Sequence, residues 1–164
     1  MVADIVGSTR MAQEVPPEEV PRITGGWFNT CLELIEKHGG YMNQYLGDGY
    51  FCYWDDTFDA KSQILAAMRE LAQMQDNASL RFRLVLHFGK TVLSNVPDTM
   101  ELNLHGQEVH FVFRMEKIAA RWEDSRLCSE AAWKALGVKS LVQRESEVSG
   151  YDGIFQFHVP DLES

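Results

Sequence analysis

No run of apolar residues in the sequence approaches the ~20 that a membrane-spanning helix needs, and no basic segment followed by a hydrophobic stretch opens the chain. Bilayer insertion and export therefore have no carrier in these residues, and a cytoplasmic protein without membrane contact is the expectation. Cysteine is scarce. Cys31, Cys52 and Cys128 are odd in number, scattered through apolar stretches and without metal-ligand spacing, which excludes a disulfide framework and predicts reduced thiols. Positive charge is in the minority: 15 Lys and Arg against 24 Asp and Glu leave a net charge of −9. Such a surface repels nucleic-acid backbones and anionic lipid, so neither is an expected partner. A polyphosphate ligand would reach it only with divalent cations. His38, His87, His105 and His158 lack the spacing of metal ligands, and no repeat, low-complexity segment or linker interrupts the chain.

What the sequence has is apolar material for one core. Of 164 residues, 45% are hydrophobic and 11% aromatic, which predicts a single globular domain over residues 1–164. Met1 to Val6 reads as a short buried strand, closed by Gly7-Ser8-Thr9 at a strand-to-helix junction. Because Met1 already stands inside that apolar segment, the first strand reads as cut short, as in a piece of a longer protein. Ile23, Trp27, Cys31, Leu34 and Ile35 then recur at helical steps between Pro16-Pro17 and Gly39-Gly40. Aromatic-rich runs, Tyr41 to Tyr45 and Tyr50 to Trp54, flank Gly47-Asp48-Gly49 and predict a β-hairpin.

A second helix carries Ile64, Met68, Leu71 and Ala72 on one face. Leu80, Phe82, Leu84, Leu86 and Phe88 alternate with Arg81, Arg83, Val85 and His87, which predicts a strand with one strongly apolar face. Beyond a polar stretch containing Pro97, a helix is expected over Gln107 to Arg121, with Val109, Val112, Phe113 and Met115 packed against a sheet. A short helix near Ala131 to Leu136 and a closing strand near Ile154 to Val159 finish the chain. Strand, helix, hairpin, helix, strand is the order of a split βαβ, ferredoxin-like core. The fold class is therefore α+β, with an antiparallel-rich sheet and helices packed on it. Trp27, Trp54, Trp122 and Trp133 read as core or interface anchors.

Asp4 ends the first strand and Asp48 sits at the hairpin tip, and in a split βαβ sheet those points are neighbours. Two carboxylates on adjacent strand ends form a hard-oxygen site suited to Mg²⁺ or Mn²⁺. Gly7, Ser8 and Thr9 follow directly, and backbone N–H groups at a helix start can cradle phosphates. Each motif also has a plain structural reading, the Gly-Asp-Gly as a turn and the Gly-Ser-Thr as a helix N-cap. Their joint occurrence favours contiguous metal and phosphate sites. His110, Arg114 and Lys117 share one face of the helix after Gly106, which either meets a triphosphate or is a solvated polar face. Lys90 is open to the same two readings.

Three stretches, Ala3-Asp4-Ile5-Val6-Gly7-Ser8-Thr9, Tyr45-Leu46-Gly47-Asp48-Gly49 and Gly106 to Glu116 with His110 and Arg114 inside it, resemble in order and spacing the catalytic domains of class III adenylyl/guanylyl cyclases. The likeness runs over almost the whole chain. It implies a head-to-tail homodimer whose active sites lie at the subunit interface and draw on both chains. It further implies that Asp4 and Asp48, assisted by the Ile5 carbonyl, hold two Mg²⁺ or Mn²⁺ ions, and that Lys90 contacts the triphosphate. From the partner chain would come Gln44 and Asn103, which read the base, and Arg114, which stabilises the pentavalent phosphate.

The sequence departs from the family pattern at three places. The base-reading pair resembles Lys and Asp in typical adenylyl cyclases and Glu and Cys in guanylyl cyclases, whereas here it is Gln44 and Asn103, carboxamides that offer both donor and acceptor. That favours ATP with relaxed selectivity. His110 replaces the ribose-positioning asparagine, and Tyr151 stands where many members carry a phosphate-binding lysine. The expectation is an adenylate cyclase domain that forms 3′,5′-cyclic AMP and pyrophosphate from ATP in cyclic-nucleotide signalling. Two alternatives stand beside it: a degenerate homology domain that dimerises or binds nucleotide without turnover, and a cyclase acting on GTP or a pyrimidine triphosphate.

Overall fold

Apolar spacing and glycine placement set the elements of the chain, which a computed structural model describes over residues 1–77, 80–95 and 102–163, the side chains of Asn77, Asn95, Leu102 and Asn103 excepted. The polar stretch around Pro97 lies outside the described residues. The chain separates into two compact units, one of Ala3–Phe82 and one of Met1–Val2 with Arg83–Ser164.

The first unit runs through β1 (Val2–Ile5), α1 (Ser8–Glu14), α2 (Val20–Lys37), β2 (Tyr41–Tyr45), β3 (Gly49–Tyr53) and α3 (Ala60–Asn77). Pro21 sits at the start of α2, where a missing N–H costs nothing. Thr24, Trp27, Cys31 and Ile35 then bury one stripe of the helix at three- and four-residue steps. The buried Thr24 hydroxyl donates to the Val20 carbonyl at 3.0 Å, so its polarity is satisfied. The Trp27 ring lies 5.4 Å from those of both Tyr50 and Phe82, contacts worth about 0.5–1.5 kcal/mol each beyond their buried area. In α3 the buried positions are Ala60, Leu65, Ala67, Met68 and Leu71, so Met68 and Leu71 of the predicted face lie in the core, while Ile64 and Ala72 are half-buried.

Strand β3 lies between β2 and β1, and its antiparallel register with β2 shifts at a bulge between Met42 and Gln44. Close approach of β3 to β1 needs a glycine. A Cβ on Gly49 would stand 2.5 Å from the Ala3 carbonyl oxygen, backbone that has no side-chain freedom to yield.

The second unit contains β4 (Phe82–Leu86), β5 (Val92–Asn95), β6 (Leu102–His105), α4 (Gln107–Trp122), β7 (Arg126–Ser129), α5 (Glu130–Leu136), β8 (Ser140–Glu147) and β9 (Ile154–Pro160). Its strands follow the order β4, β7, β9, β8, parallel only between β4 and β7, and β5 pairs with β6 in a separate antiparallel ribbon. Helix α4 buries Phe111, Val112, Met115, Ile118 and Ala119, leaving Val109 and Phe113 half-buried at the margin of the predicted stripe. Phe111 meets Phe155 and Phe157 of β9, the first edge-on at 5.1 Å.

The architecture is α+β, with mostly antiparallel pairing and helices, as the alternation of patterns predicted. Strands β5 to β8 are additions. β7 is four residues long, and β8 exposes Leu141, Val142, Gln143, Glu145 and Glu147, so neither carries an apolar run that marks a strand. No helix among the described residues is long and apolar enough to cross a membrane.

All three cysteines are free and buried, as the sequence predicts. Burial pushes the thiols of Cys31 and Cys128 up to about 12 and that of Cys52 up to about 11. A thiol reagent at mildly alkaline pH is therefore expected to leave the native chain unlabelled and to modify every cysteine in denaturant; fast native labelling would contradict the burial. Gly49→Ala is expected to destabilise the chain by about 1–3 kcal/mol, read as a lower urea midpoint.

Candidate functional site

Asp4 is half-buried in β1 between the buried Ala3 and Ile5. Asp48 is half-buried in the turn that joins β2 to β3. The Ile5 N–H donates to the Asp48 carbonyl at 2.8 Å, which holds that turn against the end of β1 and brings the backbones of the two acidic positions together. Beyond β1, Gly7 adopts φ +72°, a left-handed turn that glycine takes without strain, and its carbonyl accepts from Met11 to begin α1. The Ser8 hydroxyl then reaches back and donates to Asp48 Oδ2 at 2.7 Å. No side chain caps α1, so the N–H groups of its first turn lack intrahelical acceptors. Arg10 is turned along the helix to Glu14, at 2.7 Å, in an exposed pair.

The residues whose backbones meet at this corner carry hard oxygen donors: the carboxyl groups of Asp4 and Asp48 and the backbone carbonyl of Ile5. They suit Mg²⁺ or Mn²⁺. Among the described residues there is no group of three or more His, Cys, Asp or Glu that could hold a metal ion. Mg²⁺ is typically bound by one or two carboxylates, its remaining positions filled by water and substrate phosphate, and the corner fits that pattern.

Gln44 is exposed on β2, just past the bulge, where such irregularities re-aim side chains. In the second unit, Lys90 is exposed beyond β4, and its carbonyl lies near the backbone of Gly106, 3.9 Å from where a Cβ there would stand. The Asn103 backbone pairs with Ser94 in the β5–β6 ribbon, and its side chain lies outside the described set. His110, Arg114 and Lys117 are all exposed on α4, on the side away from Phe111, Val112 and Met115. Lys117 is drawn to Glu116 at 2.8 Å, and the same buried carboxylate faces Arg83 at 3.9 Å.

Two arrangements were not legible in the sequence. The Tyr151 hydroxyl donates to the Gln107 carbonyl at 2.5 Å, across the 44 residues between them, so the residue at the lysine-like position ties down the start of α4. Partial burial and the nearby Glu108 raise the pKa of Tyr151, and Arg114 is close enough to oppose them. His87, beyond β4, faces Ser129 through Nδ1 at 2.8 Å and Glu108 through Nε2 at 2.5 Å. The one local signal for this group was Ser129 itself, whose oxygen caps α5 by accepting from the Ala132 N–H.

A family model described as the adenylate and guanylate cyclase catalytic domain matches residues 1–123. The chain is 25% identical over 126 residues to the membrane guanylyl cyclase of Dictyostelium discoideum, covering 70% of this chain and 8% of that protein. It is 22% identical over 171 aligned positions to the adenylate cyclase of Anabaena cylindrica, covering 93% of this chain and 34% of that protein. The chain thus spans about a third or less of the length of these curated relatives. Among solved structures, the guanylate cyclase domain of RhGC from Catenaria anguillulae in complex with GTP matches with a TM-score of 0.79 at 17% identity, covering 96% of this chain and 91% of that one, a likeness of fold.

Burial lowers the pKa of His87, against the opposing pull of Glu108, and also that of His158, which is 1% exposed and stacks on Trp133 at 4.0 Å. Both unfold to values near 6.5, so below that pH, down to the lower folded values, the unfolded chain binds more protons than the native one. Stability therefore decreases as pH falls through this window. The thermal midpoint is expected to drop between about pH 7 and about pH 5.5, and a flat profile would contradict the direction of both shifts. Tyr151→Phe is expected to cost about 1 kcal/mol in urea unfolding through the lost hydrogen bond to Gln107.

Proposed function

We propose, for a chain that belongs to the adenylate and guanylate cyclase catalytic-domain family, the conversion of ATP to 3′,5′-cyclic AMP and pyrophosphate in cyclic-nucleotide signalling. Residues 1–164 act as one cytoplasmic catalytic domain, paired with a second copy in a homodimer that shares its active sites. What supports the reading is the meeting of the backbones that carry Asp4 and Asp48, tied through the Ile5 N–H and the Asp48 carbonyl.

Asp4, Asp48 and the Ile5 carbonyl hold two Mg²⁺ or Mn²⁺ ions. When bound, these lower the pKa of the ribose 3′-hydroxyl and neutralise charge on the triphosphate and departing pyrophosphate. Ser8 orients the Asp48 carboxylate by donating to Oδ2, which leaves the remaining lone pairs for cations. Gly7, Ser8 and Thr9 present the start of α1 to the triphosphate, and Lys90 adds a positive charge. Gln44 and Asn103 of the partner subunit read the base, and Arg114 of the partner subunit stabilises the charge that builds on the pentavalent phosphate. His110 takes the ribose-positioning place with a titratable donor. Tyr151 is a neutral phenol and supplies no cation, and its hydroxyl donates to the Gln107 carbonyl.

A guanylate cyclase reading keeps this chemistry, and the guanylyl cyclases among the similar proteins favour it. A pyrimidine triphosphate is the other substitute substrate. A non-catalytic homology module is the reading to which His110 and the carboxamide pair point.

The deciding experiment offers ATP, GTP, CTP and UTP separately with Mn²⁺ and identifies products by mass spectrometry. Cyclic AMP as the main product is expected; tight triphosphate binding with no product would favour the homology module. Asp48→Ala is expected to lower turnover by more than ~100-fold, exceeding the usual effect of removing a group that only supports a metal ligand. Arg114→Ala is expected to lower kcat by about 10²–10³-fold. If Asp48→Ala matched the unmutated rate, the metal assignment would fall.

A further inference from the structure

His87 has no part in the chemistry set out above, yet it joins three elements of the second unit. Its side chain is 11% exposed, and its ring lies 4.7 Å from that of Phe111 on α4. In the neutral ring, Nε2–H donates to the Glu108 carboxylate, which leaves Nδ1 as an acceptor. The Ser129 hydroxyl donates to Nδ1, and the same oxygen accepts the Ala132 N–H at 3.2 Å. The donors therefore run in one direction, from the first turn of α5 through Ser129 and His87 to the first turn of α4. Glu108 from α4 is the charged group that contacts the ring.

The start of α4 needs such an external hold. Gly106, at its N-cap, has no side chain to offer, and the first intrahelical contact, His110 N–H to the Gly106 carbonyl, is long at 3.5 Å. Among the described residues, hydrogen bonds from outside the helix join Glu108 with His87 and Gln107 with Tyr151. Gly89 makes room for the first of them. A Cβ there would come within 2.6 Å of Glu108 Oε2 and 2.7 Å of its Cγ. Arg114 lies six residues beyond Glu108, about 9 Å along the helix axis, so a shift of the first turn is carried rigidly to the guanidinium. Displacement of a catalytic group by ~1 Å can cost about 100-fold in rate.

We propose that His87 is a positioning residue for the cyclase reaction: it holds Glu108 on one ring nitrogen and Ser129 on the other, fixes α4 along its axis, and so sets where His110 and Arg114 stand. The proposal rests on the assignment of Arg114 above. His87→Ala, Glu108→Ala and Gly89→Ala each break the same link from a different side. Each is expected to lower kcat by about 10- to 100-fold with little change in the KM for ATP. His87→Gln, which keeps a donor for Glu108, is expected to recover part of that loss.

A residue that only stabilised the fold would lower the melting temperature without this kcat-specific pattern. The cycle with Arg114 separates the possibilities further. If His87 acts through Arg114, His87→Ala adds little to the loss already present in Arg114→Ala, and Glu108→Ala adds little to His87→Ala. Full activity of Arg114→Ala would remove the Arg114 assignment and this proposal with it. A crippled Arg114→Ala beside fully active Glu108→Ala and Gly89→Ala would overturn the proposal alone. Should His87→Ala fail to fold, the Glu108 and Gly89 variants carry the test, since both sites are at least partly exposed.

Discussion

The arrangement of the candidate site in the first unit depends on the hydrogen bond from the Ile5 N–H to the Asp48 carbonyl. It forces the β2–β3 turn against the end of β1, and that closeness is possible because Gly49 has no Cβ to meet the Ala3 carbonyl. Once the turn is seated, Asp48 is within reach of Ser8, and the left-handed Gly7 turns the chain so that Ser8 faces it. Backbone geometry thus brings the two acidic positions together. The acidic balance of the chain fits this arrangement, since a surface of net charge −9 approaches a triphosphate only through bound cations and a few directed basic groups.

The second unit solves a different problem, the placement of a polar helix face. Helix α4 buries Phe111, Val112, Met115, Ile118 and Ala119, and this fixes which side His110 and Arg114 present to solvent. Burial sets rotation about the helix axis far better than position along it, because an apolar stripe can slide with modest loss. Side-chain hydrogen bonds at the first turn supply the missing axial restraint. They come from His87 and Tyr151, residues outside the helix, with Ser129 holding the other nitrogen of the His87 ring.

That division explains what could be read in the sequence. The periodic elements were legible: the stripe of α2, the aromatic hairpin, the alternation of β4 and the span of α4 all follow from local spacing. The neighbouring positions of Asp4 and Asp48 followed from the strand order those elements imply. The Ser8 to Asp48 hydrogen bond and the chain of contacts through His87 did not, because nothing in local spacing states which polar side chains meet after folding. The seam of α3 was legible at Met68 and Leu71, while Leu65 is buried where Ile64 was expected, since two adjacent apolar residues leave that end of the stripe undetermined. Asn103 stands in a ribbon whose register is defined, while its side chain lies outside the described set.

Strand β8 was hidden from pattern reading by its polarity, and that polarity has a consequence of its own. It ends the strand order of its unit, so among the described residues one row of its backbone donors and acceptors faces no neighbouring strand. An open row of this kind recruits extended segments from other molecules unless charge discourages it, and Glu145 and Glu147 project from the strand as exposed carboxylates. Stacking two such edges would bring like charges together, so the feature that made the strand hard to recognise also guards the folded chain against runaway aggregation along that border.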